Sequence, residues 1–314
     1  MLTRRSSLRR AALALVVSAA MLLPAWGWGP KGHTMIAEAA VAALPSGLPA
    51  FVYDSATIGY LANEPDRWRG RDIAVLNAAN APDHFLDLEP ISFMTALPRD
   101  RYRFIAALER RAAALRAAGH RRQAAALQPA RVGFQPYATI EAYQRLVRAF
   151  QEYREAVAQH RSTRPMQAEA LVAMGVLAHF VGDGAQPLHT TVNYNGWVEA
   201  NPQGFSTSRK LHAAFESEFV DRAIPATALA GKLPAAVVVA HPFQDYVRYL
   251  QATHDQVAPL YQLEKAGGFA GKGTAAGRAF VIARLASGAR MLANLYDTAW
   301  VVSGQQQPAH LLQQ

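Results

Sequence analysis

His179-Phe-Val-Gly-Asp183-Gly-Ala-Gln-Pro-Leu-His189 is the stretch whose reading decides this fold. The run before it, residues 167–182, is apolar, ends at Gly182 and is followed by Pro187, the pattern of a buried helix that stops at a tight turn. His179 and Asp183 are four residues apart, so a helix presents both on one face, one turn from each other. Imidazole nitrogen and carboxylate oxygen at that spacing suit a borderline metal such as zinc. A single pair of this kind arises by chance on any long helix. A second pair, His212-Ala-Ala-Phe-Glu216, and the further histidine at His189 make the pattern specific.

Working outward, most of the chain reads as helix. Residues 101–127 and 138–160 have amphipathic periodicity, 207–222 form the helix of the second pair, and 243–262 and 275–300 supply two more. No run of alternating strands is evident, so the expected fold class is all-α, a single mainly helical domain with its metal site between helices. The Gly/Asn-rich stretch 193–206 is a loop between ligand-bearing segments, the place for specificity. The Arg-rich face of 101–122 reads as a solvated helix face rather than a nucleic-acid patch.

Residues 1–27 read as an export signal: Arg4, Arg5, Arg9 and Arg10, an apolar stretch from Ala11 to Leu23, then small residues. Ala25-Trp26-Gly27 fits cleavage after Gly27, leaving a domain of 28–314. Thr3-Arg4-Arg5-Ser6-Ser7-Leu8-Arg9 also resembles a twin-arginine signal; an ordinary secretory signal fits equally. The expected location is periplasmic or secreted, with no stable membrane insertion and no obligate protein partner. Cleavage after Gly27 makes Trp28 the first residue, and a free amine with its neighbouring carbonyl is a five-membered chelate. Cleavage after Ala25 would put Trp26 first and remove it.

Trp28-Gly29-Pro30-Lys31-Gly32-His33, followed by the His179–His189 motif, resembles the trinuclear-zinc superfamily that unites S1/P1 nucleases with bacterial zinc phospholipases C. The resemblance implies three Zn2+ and nine metal-binding residues. They map in order onto Trp28, His33, Asp66, His84, His179, Asp183, His189, His212 and Glu216. Asp72 and Asp83 compete with Asp66 by position. It also implies roles. Asp183 would bridge two ions, Asp66 would bind one and orient or deprotonate the attacking water, and His189, His212 and Glu216 would hold the third ion near the leaving oxygen. Arg69 matches an arginine that nucleases of this family use against phosphate; its alternative is a surface arginine. Phe85 is expected to line the substrate pocket or to belong to the core. Zinc supplies a nucleophile by lowering the pKa of bound water to ~7 and neutralises phosphate charge.

Two substrates remain open, single-stranded nucleic acid and phospholipid. The N-terminal spacing, the 23 residues between His189 and His212, and Arg69 favour a nuclease. Lys31 stands where choline-preferring phospholipases place a carboxylate, and is expected at the substrate. Against the nuclease, Glu216 has the phospholipase form where nucleases have Asp, and Val192-Asn193-Tyr194-Asn195-Gly196 replaces their Gly-Gly-Asn. A zinc-stabilised binding protein without catalysis is the third reading.

Composition agrees with an exported metalloprotein. The 314 residues include no Cys, so metal, not disulfide, is the expected internal staple. Removing the four arginines of the signal lowers the formal charge from +9 to +5. That suits a phosphate-bearing substrate without choosing between nucleic acid and anionic lipid.

Overall fold

The apolar stretch ahead of Asp183 becomes the central helix of an all-α molecule. The computed structural model describes residues 28–305, so the expected signal, 1–27, and the last residues, 306–314, lie outside them. Helix accounts for 68% of the structure. Among the described residues the only bridges of β type are isolated ones, Leu86 with Gly133 and Tyr194 with Gly196. The framework is α1 (Pro30–Ala42), α2 (Ser55–Leu61), α3 (Arg101–Ala117), α4 (Arg121–Ala126), α5 (Gln135–Ala158), α6 (Arg164–Ala185), α7 (Pro242–His254) and α8 (Ala275–Gly304).

Helix α6 is enclosed by α1, α2, α5, α7 and α8. Its residues from Ala173 to Ala185 are all buried. It is the one described helix long and apolar enough to cross a membrane, and its apolar surface is instead covered by these neighbours. Helix α5 shows why such cover forms: Thr139, Ala142, Tyr143, Leu146, Ala149 and Phe150 recur at three- and four-residue spacing and make one buried stripe. Two glycines of α6 let partners approach. A Cβ on Gly175 would collide with Leu61 of α2, and one on Gly182 would sit 2.8 Å from His33 Nδ1 of α1. The glycine of the His-Phe-Val-Gly-Asp motif is therefore the space that His33 occupies.

Three boundaries differ from expectation. The predicted helix over 101–127 breaks at Gly119, whose φ is +82°. His120 N–H donates to Leu115 C=O at 2.8 Å and Gly119 N–H to Arg116 C=O at 3.0 Å, the paired bonds of a Schellman stop. The helix predicted over 243–262 ends at His254 and restarts as Val257–Lys265. Pro259 explains the break: it has no N–H, and its ring excludes the carbonyl four residues earlier. The helix predicted over 207–222 is a short α-turn, Leu211–Ala213, then a π-turn, Ala214–Phe219, then Val220–Ala223. Single π-turns of this kind gather at functional sites.

Candidate metal centre

Three pieces of chain that precede α6 converge on its C-terminal half. Helix α1 contributes His33. The short helix Glu64–Arg67, opened by Pro65, contributes Asp66. The segment 82–88 contributes His84, although it belongs to no sheet. It is held on one side by Phe134 N–H to Pro82 C=O at 2.7 Å and Asp87 N–H to Val132 C=O at 2.8 Å. On the other side, Leu86 N–H donates to His189 C=O at 2.9 Å and Leu88 N–H to Thr190 C=O at 3.1 Å. The backbone thus ties His84 to the turn that bears His189. Gly133 permits this, with φ +91° and no side chain where the Phe85 carbonyl lies.

All eight described imidazole and carboxylate ligand candidates are buried. They form three groups whose ligand atoms lie within 4.8 Å of one another: His33, Asp66 and His179; His84, His179 and Asp183; His189, His212 and Glu216. Asp183 is the hub. It lies 2.9 Å from His84 Nδ1, 3.3 Å from His179 Nε2, 3.4 Å from His33 Nε2 and 3.7 Å from His189 Nδ1. In the other group, Glu216 lies 2.7 Å from His212 Nε2 and 3.6 Å from His189 Nε2.

Backbone carbonyls set which nitrogens face inward. His179 Nδ1 meets Ala62 C=O at 2.8 Å, His189 Nδ1 meets His84 C=O at 2.7 Å, and His212 Nδ1 meets Tyr194 C=O at 3.0 Å. A ring nitrogen facing a carbonyl must carry the proton, so each Nε2 turns a lone pair to the cluster. His189 Nε2 and His212 Nε2 are then 3.1 Å apart, lone pair to lone pair. His179 Nε2 and His84 Nδ1 are 3.0 Å apart. Such close lone pairs repel unless a cation, a metal ion or a proton, lies between them.

The polar accounting makes the same demand. His33 Nδ1 and Nε2, Asp66 Oδ1, His84 Nε2, Asp183 Oδ1 and Glu216 Oε1 are buried without a hydrogen-bond partner. Each such atom costs about 1–3 kcal/mol unless something satisfies it. Divalent cations would satisfy the three carboxylate oxygens and one nitrogen of His33, so the donor set fits zinc.

Charge states favour metal uptake. Burial pushes His84 and His212 down to about 4, and burial with the neighbouring His179 lowers His33. Neutral imidazoles are ready ligands. Burial alone would raise Asp183, but His179 and His189 hold it well below the usual carboxylate range. Burial lifts Glu216 to about 8, so a cation is what would keep this carboxylate ionised near neutral pH.

The other expected residues fall as follows. Arg69 stands beside the cluster, its guanidinium 3.7 Å from Asp66 Oδ1 and its side chain 15% exposed. Phe85 is half-buried and follows His84. Trp28 is fully buried against Phe215, with ring centroids 5.5 Å apart, at the head of α1. The ammonium of Lys31 donates to the carbonyls of Val220 and Asp221 at 3.1 Å each, tying α1 to the end of the second ligand segment.

Two groups had no signal in the residue pattern. Gln186 is fully buried, and its amide donates to Glu216 Oε2 at 2.9 Å while its Oε1 accepts from Leu188 N–H at 2.7 Å. It fixes the turn between Asp183 and His189 and orients the Glu216 carboxylate. Gln186→Ala should therefore weaken zinc at the His189–His212–Glu216 group by about 10–100-fold, the usual effect of losing a group that orients a ligand. Competition titration with a chromophoric chelator reads this directly; unchanged affinity would remove the role. Tyr194 and Asn195 are the other case. The carbonyl of Tyr194 fixes His212 Nδ1, and Asn195 Oδ1 accepts from His212 N–H at 3.3 Å.

A family model described as S1/P1 Nuclease matches residues 28–307, almost the whole chain. No curated protein matches the chain.

Proposed function

The chain belongs to the S1/P1 nuclease family, hydrolases acting on phosphodiester bonds, and from that premise we propose that it is a zinc-dependent nuclease cleaving single-stranded DNA and RNA. The observation that carries this reading is the convergence of eight buried ligand side chains in three groups, with Arg69 at their edge. When bound, three zinc ions would supply the nucleophile at neutral pH and neutralise charge on the phosphate. His33, Asp66, His84, His179 and Asp183 would hold two of them, and His189, His212 and Glu216 the third. His179 has one free nitrogen, so it serves one ion; Asp183 has two oxygens near different histidines, which suits a bridge.

The chain's own groups then divide the work. Asp66 accepts a proton from, or orients, the attacking water. Arg69 donates to a non-bridging phosphate oxygen and stabilises the added negative charge. The ring of Phe85 offers a face on which a base can stack. Gln186 keeps Glu216 in place on the leaving-group side.

Phospholipase C activity is the second reading, and Glu216 in place of the nuclease aspartate is what favours it. A parallel assay on single-stranded DNA, RNA and phospholipid micelles, with and without chelator, separates the two. Chelator-sensitive hydrolysis of both nucleic acids is expected. Hydrolysis of phospholipid alone would replace the nuclease reading, and hydrolysis of nothing would leave a zinc-stabilised binding protein.

The mature chain on this account begins at Trp28 after export, and its free amine and carbonyl complete the His33 group. The family match begins at this residue, whose indole is buried. N-terminal sequencing of exported protein should give Trp-Gly-Pro-Lys. Extra residues ahead of Trp28 turn the amine into an amide without an available lone pair. Such a protein should bind about one zinc fewer and hydrolyse poorly, because a ligand that must be deprotonated is lost. Full zinc content and activity in the extended protein would refute the chelate and leave the other eight ligands standing.

A further inference from the structure

The charge of this protein is concentrated in one place. Residues 28–305 hold 28 Lys and Arg against 23 Asp and Glu, a net +5. Residues 99–131 alone hold nine Arg against Asp100 and Glu109, a net +7. The remaining described residues are therefore net −2. The basic segment is α3, the turn at Gly119, α4 and the chain to Arg131.

As sequence this is a solvated helix face, and three observations take it further. First, Arg110, Arg111, Arg116, Arg121, Arg122 and Arg131 are exposed, and among the described residues none forms an ion pair. The segment's ion pairs involve only Arg101 and Arg103. Second, exposed aromatic rings are interleaved with the charge: Tyr102 is 79% exposed, and Phe93, 40% exposed, carries the Arg111 guanidinium 5.4 Å from its ring centroid. Third, α3 and α4 enclose an open groove of about 800 Å3, lined by Arg116, Arg121, Glu109 and Gln128 with Ala112 and Leu127 at its base.

The segment is also physically joined to the metal centre. Arg101 at the start of α3 donates to Asp83 Oδ1 at 3.0 Å, next to the ligand His84. Phe104 packs on Phe134 and Tyr137 at ring distances of 6.3 and 5.2 Å, beside the segment that holds residues 82–88. From that base the 17 residues of α3 extend about 25 Å.

We infer that the Arg110–Arg131 face is a docking surface for the single-stranded nucleic acid flanking the cleaved phosphodiester, a second point of attachment outside the catalytic cluster. This rests on the nucleic-acid reading of the metal centre. Guanidinium groups pair with phosphates and stack on bases, and exposed aromatic rings between cations are the usual single-strand platform. A lipid surface is a poorer fit, because Phe93 and Tyr102 are the only large exposed apolar residues of this region, whereas interfacial binding needs a continuous apolar face.

The test compares the mature zinc enzyme with its Arg110→Gln/Arg111→Gln/Arg116→Gln variant. None of the three residues touches the ligand cluster. KM for a 20-nucleotide single strand should rise roughly tenfold at low salt, with kcat and dinucleotide hydrolysis unchanged. The slope of log KM against log salt should fall by about 2, from three phosphate contacts at ~0.7 each. Equal KM and equal salt slope would overturn the inference. A fluorescent phosphorothioate 20-mer, which reports binding without hydrolysis, keeps the two readings apart. If the wild type cleaves no nucleic acid yet binds this strand through the three arginines, the nuclease reading fails and the docking surface stands. If the variant loses binding to phosphatidylglycerol vesicles but not to the strand, the surface belongs to lipid and the inference is overturned.

Discussion

Asp183→Asn should lower hydrolysis of every active substrate by about a thousandfold or more, the scale expected when a metal pair and its charge stabilisation are lost together. The expectation comes from the position of this one carboxylate. Four imidazoles lie within 3.7 Å of it, drawn from α1, the 82–88 segment, α6 and the turn after α6. Its Oδ1 faces His33 and its Oδ2 faces His84 and His179. Asparagine keeps the shape but offers one oxygen and no charge, so it cannot bridge two cations. Its N–H2 would point at a nitrogen lone pair that a metal needs. The variant should fold, because Gly182 and the helix around residue 183 are unaltered, and should retain zinc at the His189–His212–Glu216 group. Circular dichroism and metal content check both points. Wild-type turnover in a folded Asp183→Asn protein would show that the cluster is not the reaction centre. Arg69→Ala is the matched control: it should keep all its zinc and lose only turnover.

Removing the metal should cost more stability than any single substitution. Without cations, the cluster is a set of buried lone pairs facing one another, with His189 Nε2 and His212 Nε2 3.1 Å apart and the Glu216 carboxyl lifted to about 8 by burial. There is no Cys, so no disulfide limits the damage. A ligand present at a thousandfold over its Kd adds about 4 kcal/mol. Three such ions, at roughly 2–4 °C per kcal/mol for a large domain, imply a Tm lower by more than about 20 °C in chelator. The loss should reverse on adding zinc. A Tm that chelator does not move would mean that the ligand groups are satisfied without metal, against the accounting of their orphaned atoms.

The parts legible in the sequence were those with a local period. His179 and Asp183 sit four apart in an apolar run, and so do His212 and Glu216; spacing alone put each pair on one face. The all-α class followed from periodicity over long stretches. What stayed hidden depends on tertiary contact. Gln186 looks like any polar residue in a turn, and only the folded chain brings its amide to Glu216, 30 residues away. The segment 82–88 has no strand pattern because its partners, 132–134 and 189–190, are short and come from two directions. The place of Lys31 in the sequence, two residues before a ligand, does not reveal that α1 turns it toward the carbonyls of Val220 and Asp221. The π-turn under Glu216 has no composition signal at all.

The central claim is that these residues form a trinuclear zinc centre, and counting zinc in the purified mature protein tests it most directly. Elemental analysis of protein beginning at Trp28 should give three zinc ions per chain, falling to about two in the Gln186→Ala protein under limiting metal. One ion or none in the fully active wild-type protein would contradict the account.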